Sequence, residues 1–468
     1  MENIVPLKME LLLKKSHDLI LKSEDIKIYS HNDCDGLTSG AILSHMLNSL
    51  KKEHEIEFIS LDKIDELKLD NELTIFSDLG SGQNIEKLSK SLKNILILDH
   101  HPPIRTFNFN KSTIPGELLE INCNYFGIDG STEICGGGIS YLLARTFGCR
   151  KLSWLGVLAG VGDMQNTYNG KFIGLNRSIL DESVELEKVS YSSGLSFYGR
   201  QTRPIYKSLS YFGDFPLYTT NNPEKCEDLL KYLNIDPNKT INQLTFSEEQ
   251  KLISELNRML SKEVPGRYVL CIPKLLIGES YEFLKEETNT PLRDASEFSS
   301  AINACSRNNH TDVAFKILKG DRNKALKELG KISKKHKTYL AKQISKFEED
   351  ENKIKKMDNL QYFADYDIKS EVVGTIAGMV LSYADWRKPI LAFTPVNTEN
   401  NKLKVSLRCS RLLAYDGIHF GKIIKDVSQK VGGTGGGHSV ACGAYINQDK
   451  QNEFLNLLNQ TLNDKLNI

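Results

Sequence analysis

The sequence predicts an α/β protein with a doubly wound parallel sheet in its N-terminal part, a helical middle region and a smaller C-terminal α/β domain. Continuous apolar and β-branched runs at residues 73–76 and 95–98 are typical of strands buried on both faces, as in a parallel sheet. These runs alternate with helical patterns, which favours βαβ units. The predicted domains are residues 1–215, 216–357 and 358–468.

The N-terminal elements support this fold in order. Residues 1–24 are predicted to form a helix, and an apolar run at 26–29 predicts a strand that ends at a polar segment, 31–36. A second strand is predicted at 56–59. The runs at 73–76 and 94–98 predict strands that end at Ser77-Asp78 and Asp99-His100-His101. Binding sites in such sheets lie beyond the carboxyl ends of the strands, where all three polar segments are expected.

The rest of the chain predicts one more N-terminal strand, helical segments and a second α/β domain. Residues 118–122 predict a strand, 135–144 a glycine-rich turn into a helix, and 152–161 an apolar helix or buried strand before Asp163. Charged stretches at 223–262 predict helices, and the lysine-rich stretch 322–357 is interpreted as a solvated helix face or connector. The C-terminal part predicts strands at 388–394, 403–408 and 440–446, with helices at 370–384, 419–430 and 451–465.

Composition limits the classes of protein to which the chain can belong. The 468 residues are 40% hydrophobic and 26% charged, as in soluble globular proteins, and the formal net charge is +0. Binding to a polyanion must therefore use a local patch. No run approaches the roughly 18 apolar residues of a membrane span. Nine scattered cysteines without a Cys-x-x-Cys pair, and no signal-peptide pattern, predict a cytoplasmic protein with reduced thiols.

The segment His31-Asn32-Asp33-Cys34-Asp35-Gly36 carries the first candidate metal ligands. Residues two apart on an extended backbone point the same way, so Asp33 and Asp35 are expected to converge with His31 on one face. Two carboxylates beside a histidine suit Mn²⁺ or Mg²⁺ better than a structural zinc ion. The pattern also occurs in ordinary turns, which Asp and Gly favour, so this segment alone leaves both interpretations open.

A glycine-rich segment at 432–438 is a second candidate. It is not a Walker A loop, because no Gly-Lys-Ser/Thr follows. It is interpreted either as a flexible tight turn or as a loop whose backbone N–H groups approach an anion.

Five motifs together resemble those of the DHH phosphoesterase superfamily. In chain order they are His31-x-Asp33-x-Asp35-Gly36, Ser77-Asp78, Asp99-His100-His101, Gly162-Asp163 and Gly435-Gly436-Gly437-His438. Within the superfamily the chain is most similar to the archaeal RecJ-like exonucleases, including the GINS-associated nuclease, at residues 77–82 and 199–206. The resemblance implies an N-terminal DHH domain, a C-terminal DHH-associated domain and an active-site cleft between them.

The resemblance also implies two Mn²⁺ or Mg²⁺ ions and a set of ligands. The ligands would be His31, Asp33 and Asp78 for one ion, and Asp35, Asp78, His100 and Asp163 for the other, with Asp78 bridging. Asp99 would then orient a histidine, and His101 would face the scissile phosphate. Four carboxylates offset most of the charge of two divalent ions.

The substrate-binding residues that the resemblance implies lie mainly in the C-terminal domain. They are Ser406, Arg408, Gly435, Gly436, Gly437 and His438. Arg307 matches the family's Asn-Ala-x-Gly-Arg element, in which Ser306 here replaces the glycine. Arginine suits phosphate because its planar fork bonds two oxygens, whereas the alternative for each arginine is a surface ion pair.

Three functions are consistent with these motifs. The first is a metal-dependent exonuclease on single-stranded DNA or RNA in replication or repair, with replisome proteins such as GINS as possible partners. The second is a phosphodiesterase for short oligoribonucleotides or cyclic dinucleotides. The third is a non-catalytic replisome scaffold derived from RecJ, although such relatives lose metal ligands and this chain has every proposed ligand. The middle region and its lysine-rich helix favour a longer substrate.

Overall fold

The computed structural model describes residues 5–88, 93–107, 116–396 and 401–466. The chain forms two compact units. The first is made of Met1–Gly194 and Gly278–Lys334, and the second of Leu195–Ile277 and Lys335–Ile468. The predicted three-domain division stays a prediction.

The strands are numbered in chain order. They are β1 (Ile26–His31), β2 (His54–Ile59), β3 (Leu73–Ser77), β4 (Asn94–Asp99), β5 (Leu118–Asn122), β6 (Val189–Leu195), β7 (Ile277–Phe283), β8 (Lys355–Lys356), β9 (Gln361–Ala364), β10 (Ile390–Pro395), β11 (Lys402–Arg408), β12 (Thr434–Gly437) and β13 (Ala441–Asn447).

The α-helices are numbered in the same way. They are α1 (Leu7–Lys22), α2 (Cys34–Ser49), α3 (Gly136–Thr146), α4 (Ser153–Gly162), α5 (Gly174–Glu185), α6 (Ile205–Ser210), α7 (Pro223–Tyr232), α8 (Phe246–Glu263), α9 (Ile272–Leu276), α10 (Ala295–Ser306), α11 (Thr311–Leu318), α12 (Lys324–Glu349), α13 (Val373–Val380), α14 (Arg411–Tyr415), α15 (Phe420–Lys430) and α16 (Gln451–Asn463).

The first unit contains the predicted parallel sheet, with strand order β2-β1-β3-β4-β5. Strand β3 is buried along its whole length and β4 from its second residue, which confirms that these apolar runs lie between two layers. Strands β1, β3 and β4 lie side by side. Their register aligns Ser30 with Ser77, and Ser77 with Leu98, so the polar segments after the three strands leave the same edge of the sheet.

Helices α2, α3 and α4 pack together beside this edge and bring further motifs to it. Helix α2 is buried from Cys34 to Ser44, because α3, α4, α10 and α11 cover it. The apolar run at 152–161, predicted as a helix or a strand, forms α4, which ends at Gly162 immediately before Asp163.

The second unit contains the predicted C-terminal sheet and only part of the predicted middle region 216–357, because residues 278–334 belong to the first unit. Helices α6 to α9 enclose their own apolar core, which includes Leu209, Leu230, Leu256 and Ile272. The C-terminal sheet has strand order β12-β13-β11-β10-β9-β8 and is antiparallel except between β9 and β10.

The prediction that the glycine-rich segment 432–438 forms a turn or loop is wrong for most of the segment. Thr434–Gly437 is not a turn or loop but the strand β12, which pairs with β13 from Thr434 opposite Tyr445 to Gly437 opposite Cys442. The glycines are needed for close packing, since a Cβ at Gly433 would lie 2.4 Å from the Tyr445 carbonyl oxygen and one at Gly435 would lie 2.8 Å from Ser428 Oγ. Local composition does not reveal this pairing, because glycine has a low strand propensity.

Among the helices that the structure describes, none combines the length and the apolar character needed to cross a membrane.

Candidate metal centre

The first motif passes from β1 into α2. His31 ends β1, and Asp33 caps α2 by accepting a hydrogen bond from the Gly36 N–H at its Oδ1 (3.0 Å). Asp35 therefore lies in the first turn of the helix. The prediction that Asp33 and Asp35 converge along an extended backbone is wrong, because the cap turns the chain into a helix at Cys34. A Cβ at Gly36 would lie 2.2 Å from the His31 carbonyl oxygen, so only glycine fits there.

One group of candidate ligands forms around His31. Its Nδ1 lies 3.1 Å from Asp33 Oδ2 and 3.5 Å from Asp78 Oδ2. Asp78 follows β3 with a φ of +60°, a left-handed conformation that Asp and Asn tolerate better than most residues. These three side chains are close enough to share one ion.

A second group forms around His100, which directly follows β4. Its Nε2 lies 3.3 Å from Asp78 Oδ1 and 3.7 Å from Asp35 Oδ2, and its Nδ1 lies 3.8 Å from Asp163 Oδ2. Asp35, His100 and Asp163 are also close enough to share an ion. The two carboxylate oxygens of Asp78 thus face two different groups.

The start of α3 fixes the Asp35 carboxylate. The N–H groups of Gly136 and Gly137 donate to its two oxygens at 2.8 and 2.7 Å, at the positive end of the helix dipole. A Cβ at Gly136 would lie 2.6 Å from Asp78 Cβ, so these glycines let the backbone approach both carboxylates. Burial and the neighbouring Asp78 raise the pKa of Asp35 well above its ordinary value. A cation bound beside these carboxylates would offset both the burial of Asp35 and its repulsion by Asp78.

A chain of buried amides orients the ligands of the second group. His100 Nδ1 lies 2.6 Å from the Gly130 carbonyl oxygen, which can only accept, so this nitrogen carries a proton and Nε2 is the ring nitrogen that faces Asp78 and Asp35. Gln165 Nε2 donates to the same carbonyl (2.9 Å) and to Asp163 Oδ2 (2.8 Å). Asn176 Nδ2 in turn donates to Gln165 Oε1. The Gln165 amide therefore positions both Asp163 and the Gly130 carbonyl that accepts from His100.

Asp99 is buried, and protein donors already occupy both of its oxygens. Its Oδ2 accepts from the Ser81 N–H (2.8 Å), and its Oδ1 accepts from the His100 N–H (2.8 Å) and from His101 Nδ1 (2.8 Å). Although burial opposes ionisation, His101 holds the pKa of Asp99 well below its usual range. Asp99 lies within ligand distance of Asp78, His100 and His101, but its bonds suit orienting His101. The His101 side chain is 47% exposed.

The donor set fits a hard divalent cation. Four carboxylates and two imidazoles converge, and oxygen with imidazole nitrogen is a ligand mixture typical of Mn²⁺ sites. Two buried atoms, His31 Nδ1 and Asp78 Oδ1, have no hydrogen bond of acceptable geometry to any described residue. Both atoms belong to the two groups, so an ion would satisfy them.

A relative that matches almost the whole chain decides its family. The uncharacterized protein MJ0831 of Methanocaldococcus jannaschii is 33% identical over 448 residues, which cover 94% of this chain and 94% of that protein. The chain belongs to the family of MJ0831. Residues 357–464 match the DHHA1 domain family.

Solved structures show that the fold of the chain is similar to that of RecJ, which confirms the predicted fold. RecJ of Thermus thermophilus in complex with Mn²⁺ is 15% identical with a TM-score of 0.57, covering 98% of this chain but only 55% of that protein. Another structure, of exonuclease RecJ bound to manganese, covers 99% and 96% at 15% identity and a TM-score of 0.53. CDC45 of Entamoeba histolytica covers 97% and 98% at 14% identity and a TM-score of 0.59.

Five of the predicted substrate-binding residues of the second unit lie on two strands of its sheet, Ser406 and Arg408 on β11 and Gly435, Gly436 and Gly437 on β12, and His438 follows β12. Ser406 on β11 and Gly436 on β12 both lie opposite Gly443 of β13. Arg408 is opposite Ala441 in the same ladder. Strand β12 lies at the edge of the sheet, so one of its sides is not paired in the ladder.

Arg408 is a half-buried cation beside α13. Within the described ranges its guanidinium makes one hydrogen bond, from Nη1 to the Leu407 carbonyl (2.8 Å), and no ion pair. Burial lowers the pKa of Arg408. A Cβ at Gly374 would lie 2.6 Å from Arg408 Nη2 and 3.3 Å from Ser406 Oγ, so this glycine makes room for both side chains. The alternative interpretation of Arg408 as half of an ion pair therefore has no support in the described part of the chain.

The end of α10 packs against the first motif. Asn303 Oδ1 accepts a hydrogen bond from the Cys34 N–H (3.0 Å), and Ser306 Oγ donates to the Asn32 carbonyl. Ser306 thus holds the loop between His31 and Asp33. Burial raises the pKa of the Cys34 thiol well above its ordinary value, and the positive charge of Arg307 opposes this rise.

Sequence reasoning missed the residues that position the ligands rather than bind an ion. Gln165 lies only two residues after Asp163, but an amide has no charge to mark it as a candidate. Asn176, Gly130 and Gly374 lie outside every motif, and only tertiary contact reveals them.

Proposed function

We propose that this chain is a metal-dependent exonuclease that hydrolyses phosphodiester bonds of single-stranded DNA or RNA, of the archaeal GINS-associated type. The observation that carries the proposal is Asp78, because its Oδ2 faces His31 and its Oδ1 faces His100. A carboxylate placed in this way is suited to bridge two ions. Two solved structures of similar fold are RecJ of Thermus thermophilus in complex with Mn²⁺ and an exonuclease RecJ bound to manganese.

The first ion would be held by His31, Asp33 and Asp78, and the second by Asp35, Asp78, His100 and Asp163. Two such ions, when bound, acidify a water molecule and stabilise the attacking and leaving oxygens of an in-line displacement. The chain's own residues keep the ligands in place. Gly136 and Gly137 fix Asp35, and Gln165 fixes Asp163.

His101 would contact the scissile phosphate. Asp99 accepts from its Nδ1, which orients the ring and leaves Nε2 for a phosphate oxygen. In the second unit, Arg408 and Ser406 would bind backbone phosphates, and the N–H groups on the free side of β12 would add donors. Arg307 would bind a substrate phosphate near the first motif, beside Asn303 and Ser306.

The experiment is digestion of end-labelled 20-mer DNA and RNA strands beside dinucleotides, with Mn²⁺ and the full chain. We expect the 20-mers to shorten from one end, and Asp78→Asn to be the inactive control. Faster cleavage of dinucleotides than of 20-mers would instead favour the short-substrate phosphodiesterase. No cleavage of any substrate, with intact single-strand binding, would favour a scaffold.

The proposed partners follow from the same assignment. They are single-stranded nucleic acid and, for the GINS-associated type, a replisome protein such as GINS. Co-purification of the chain with its own organism's GINS subunits tests the second partner, and elution as separate species would contradict it.

A further inference from the structure

The motif at residues 199–206 has no role in the metal centre, although it carries the closer family resemblance. In the structure its first half is a tight turn, closed by a hydrogen bond from the Arg203 N–H to the Gly199 carbonyl (3.0 Å). Gly199 has a φ of +94°, and a Cβ there would lie 2.5 Å from Arg203 Cβ. The glycine is therefore required for the turn that presents Arg203.

Arg203 lies between two tyrosine rings at the protein surface. The guanidinium carbon is 4.9 Å from the centroid of Tyr198 and 4.9 Å from that of Tyr211, whose residues are 36% and 56% exposed. Among the residues with described positions, the guanidinium forms no hydrogen bond and no ion pair. Two aromatic faces thus hold a cation in place while its five N–H donors stay available.

The turn has a rigid base. The Asn242 N–H donates to the Arg200 carbonyl (3.1 Å), and Asn242 Nδ2 donates to Oε1 of the buried Gln201 (3.0 Å). The Ile205 N–H donates to the Lys239 carbonyl (2.8 Å) at the start of α6. Arg203 is therefore preorganised, and little ordering entropy remains to be lost when it binds a ligand.

We infer that Tyr198, Arg203 and Tyr211, the tyrosine–arginine surface, contact a single strand of nucleic acid. Arg203 would donate to a backbone phosphate, and an unpaired base would stack on the exposed side of Tyr211. This pairing of a fixed cation with exposed aromatic faces is the chemistry by which single strands are bound without sequence preference. Exposed Lys207, in the first turn of α6, adds a second positive charge. The inference rests on the proposed function, to which it adds a binding surface away from the ligand motifs.

The test is fluorescence anisotropy of a labelled single-stranded 20-mer with full-length protein in EDTA, so that no strand is cut. Tyr211→Leu should weaken binding about tenfold, since stacking of one base on an aromatic ring typically contributes about 5- to 150-fold in affinity. Arg203→Gln should reduce the slope of log affinity against log salt by about 0.7, the value for one phosphate contact on a single strand. Tyr232→Leu is the matched control, because Tyr232 is 77% exposed in the same unit but not part of this surface.

The outcomes separate this inference from the proposed function. If the wild-type chain digests 20-mers but Tyr211→Leu and Arg203→Gln bind within twofold of it, the inference is overturned and the nuclease stands. If the wild-type chain binds strands at this surface without digesting any, the nuclease falls and the surface stands. If the two variants bind strands like the wild-type chain but no longer capture a replisome protein, the surface docks a protein instead, which overturns the inference. Arg203→Lys, which keeps the charge, should keep the salt slope even if Arg203→Gln unfolds.

Discussion

Replacing Gln165 by methionine should weaken one half of the metal centre selectively. Methionine has a similar volume but no N–H group. It therefore cannot replace the hydrogen bonds that Gln165 donates to Asp163 Oδ2 (2.8 Å) and to the Gly130 carbonyl (2.9 Å). Loss of such an outer partner typically reduces metal affinity by about 10–100-fold, or about 1.4–2.8 kcal/mol. The ligands His31 and Asp33 do not contact Gln165, so the other half should bind as before.

The assay is a titration of full-length protein with Mn²⁺ in which the free ion is measured by electron paramagnetic resonance. We expect two equal-capacity phases in the wild-type chain and, in Gln165→Met, a shift of one phase alone. The variant should also melt at a lower temperature, because the buried Asn176 amide loses its acceptor at a cost of about 1–3 kcal/mol.

Gln361 supplies the matched control, since it is a buried glutamine in the other unit with the same bonding pattern. Its Nε2 donates to the carbonyls of Asp385 (2.7 Å) and Lys388 (3.0 Å), and its Oε1 accepts from the Asp385 N–H. Gln361→Met should lower the melting temperature without changing Mn²⁺ binding. The reasoning is refuted if both variants weaken Mn²⁺ equally, or if Gln165→Met gives the wild-type isotherm.

Three further predictions concern activity. Asp78→Asn, which unlike alanine tolerates the left-handed backbone at this position, should lower Mn²⁺-dependent hydrolysis by about a thousandfold or more, because charge stabilisation by two ions amounts to several kcal/mol. EDTA should abolish hydrolysis and Mn²⁺ restore it with an unchanged circular dichroism spectrum, because the first unit has a large apolar core of its own. Arg408→Ala should weaken binding of the 20-mer and reduce the slope of log affinity against log salt by the amount for about one phosphate contact. It should also lower kcat/KM far more than kcat.

Each of these predictions has a result that would contradict it. Near-normal turnover of a folded Asp78→Asn protein would remove the bridging role. Loss of the circular dichroism signal on chelation would mean that the ion is structural. If Arg408→Ala binds strands normally but melts at a lower temperature, Arg408 is a packing residue. The control is Arg387→Ala, because Arg387 is an exposed arginine paired with Asp385.

The parallel sheet could be predicted because its information is local. The runs that became β3 and β4 are apolar over consecutive residues, and the polar residues that follow them mark the strand ends. Parallel pairing then places those ends at one edge, so the proximity of Asp78, Asp99 and His100 follows from pattern alone.

The details that could not be predicted depend on tertiary contacts. Asp33 and Asp35 face different groups because a cap starts a helix between them, and the extended geometry assumed from spacing does not apply. The glycine-rich strand β12 exists only because β13 pairs with it. Gln165 and Arg203 gain their positions from Gly130 and from two tyrosine rings, which no local pattern indicates.

The hydrogen bond from Cys34 to Asn303 joins residues separated by 269 positions, and Ser306 adds a second bond to the same loop. A ribosome must therefore synthesise the whole segment 195–277, which belongs to the second unit, before the first motif is fully held. Nascent chains and fragments that end between residues 163 and 302 lack this support even though they contain every candidate metal ligand. The order of synthesis thus delays completion of the first motif's contacts until α10 has been made.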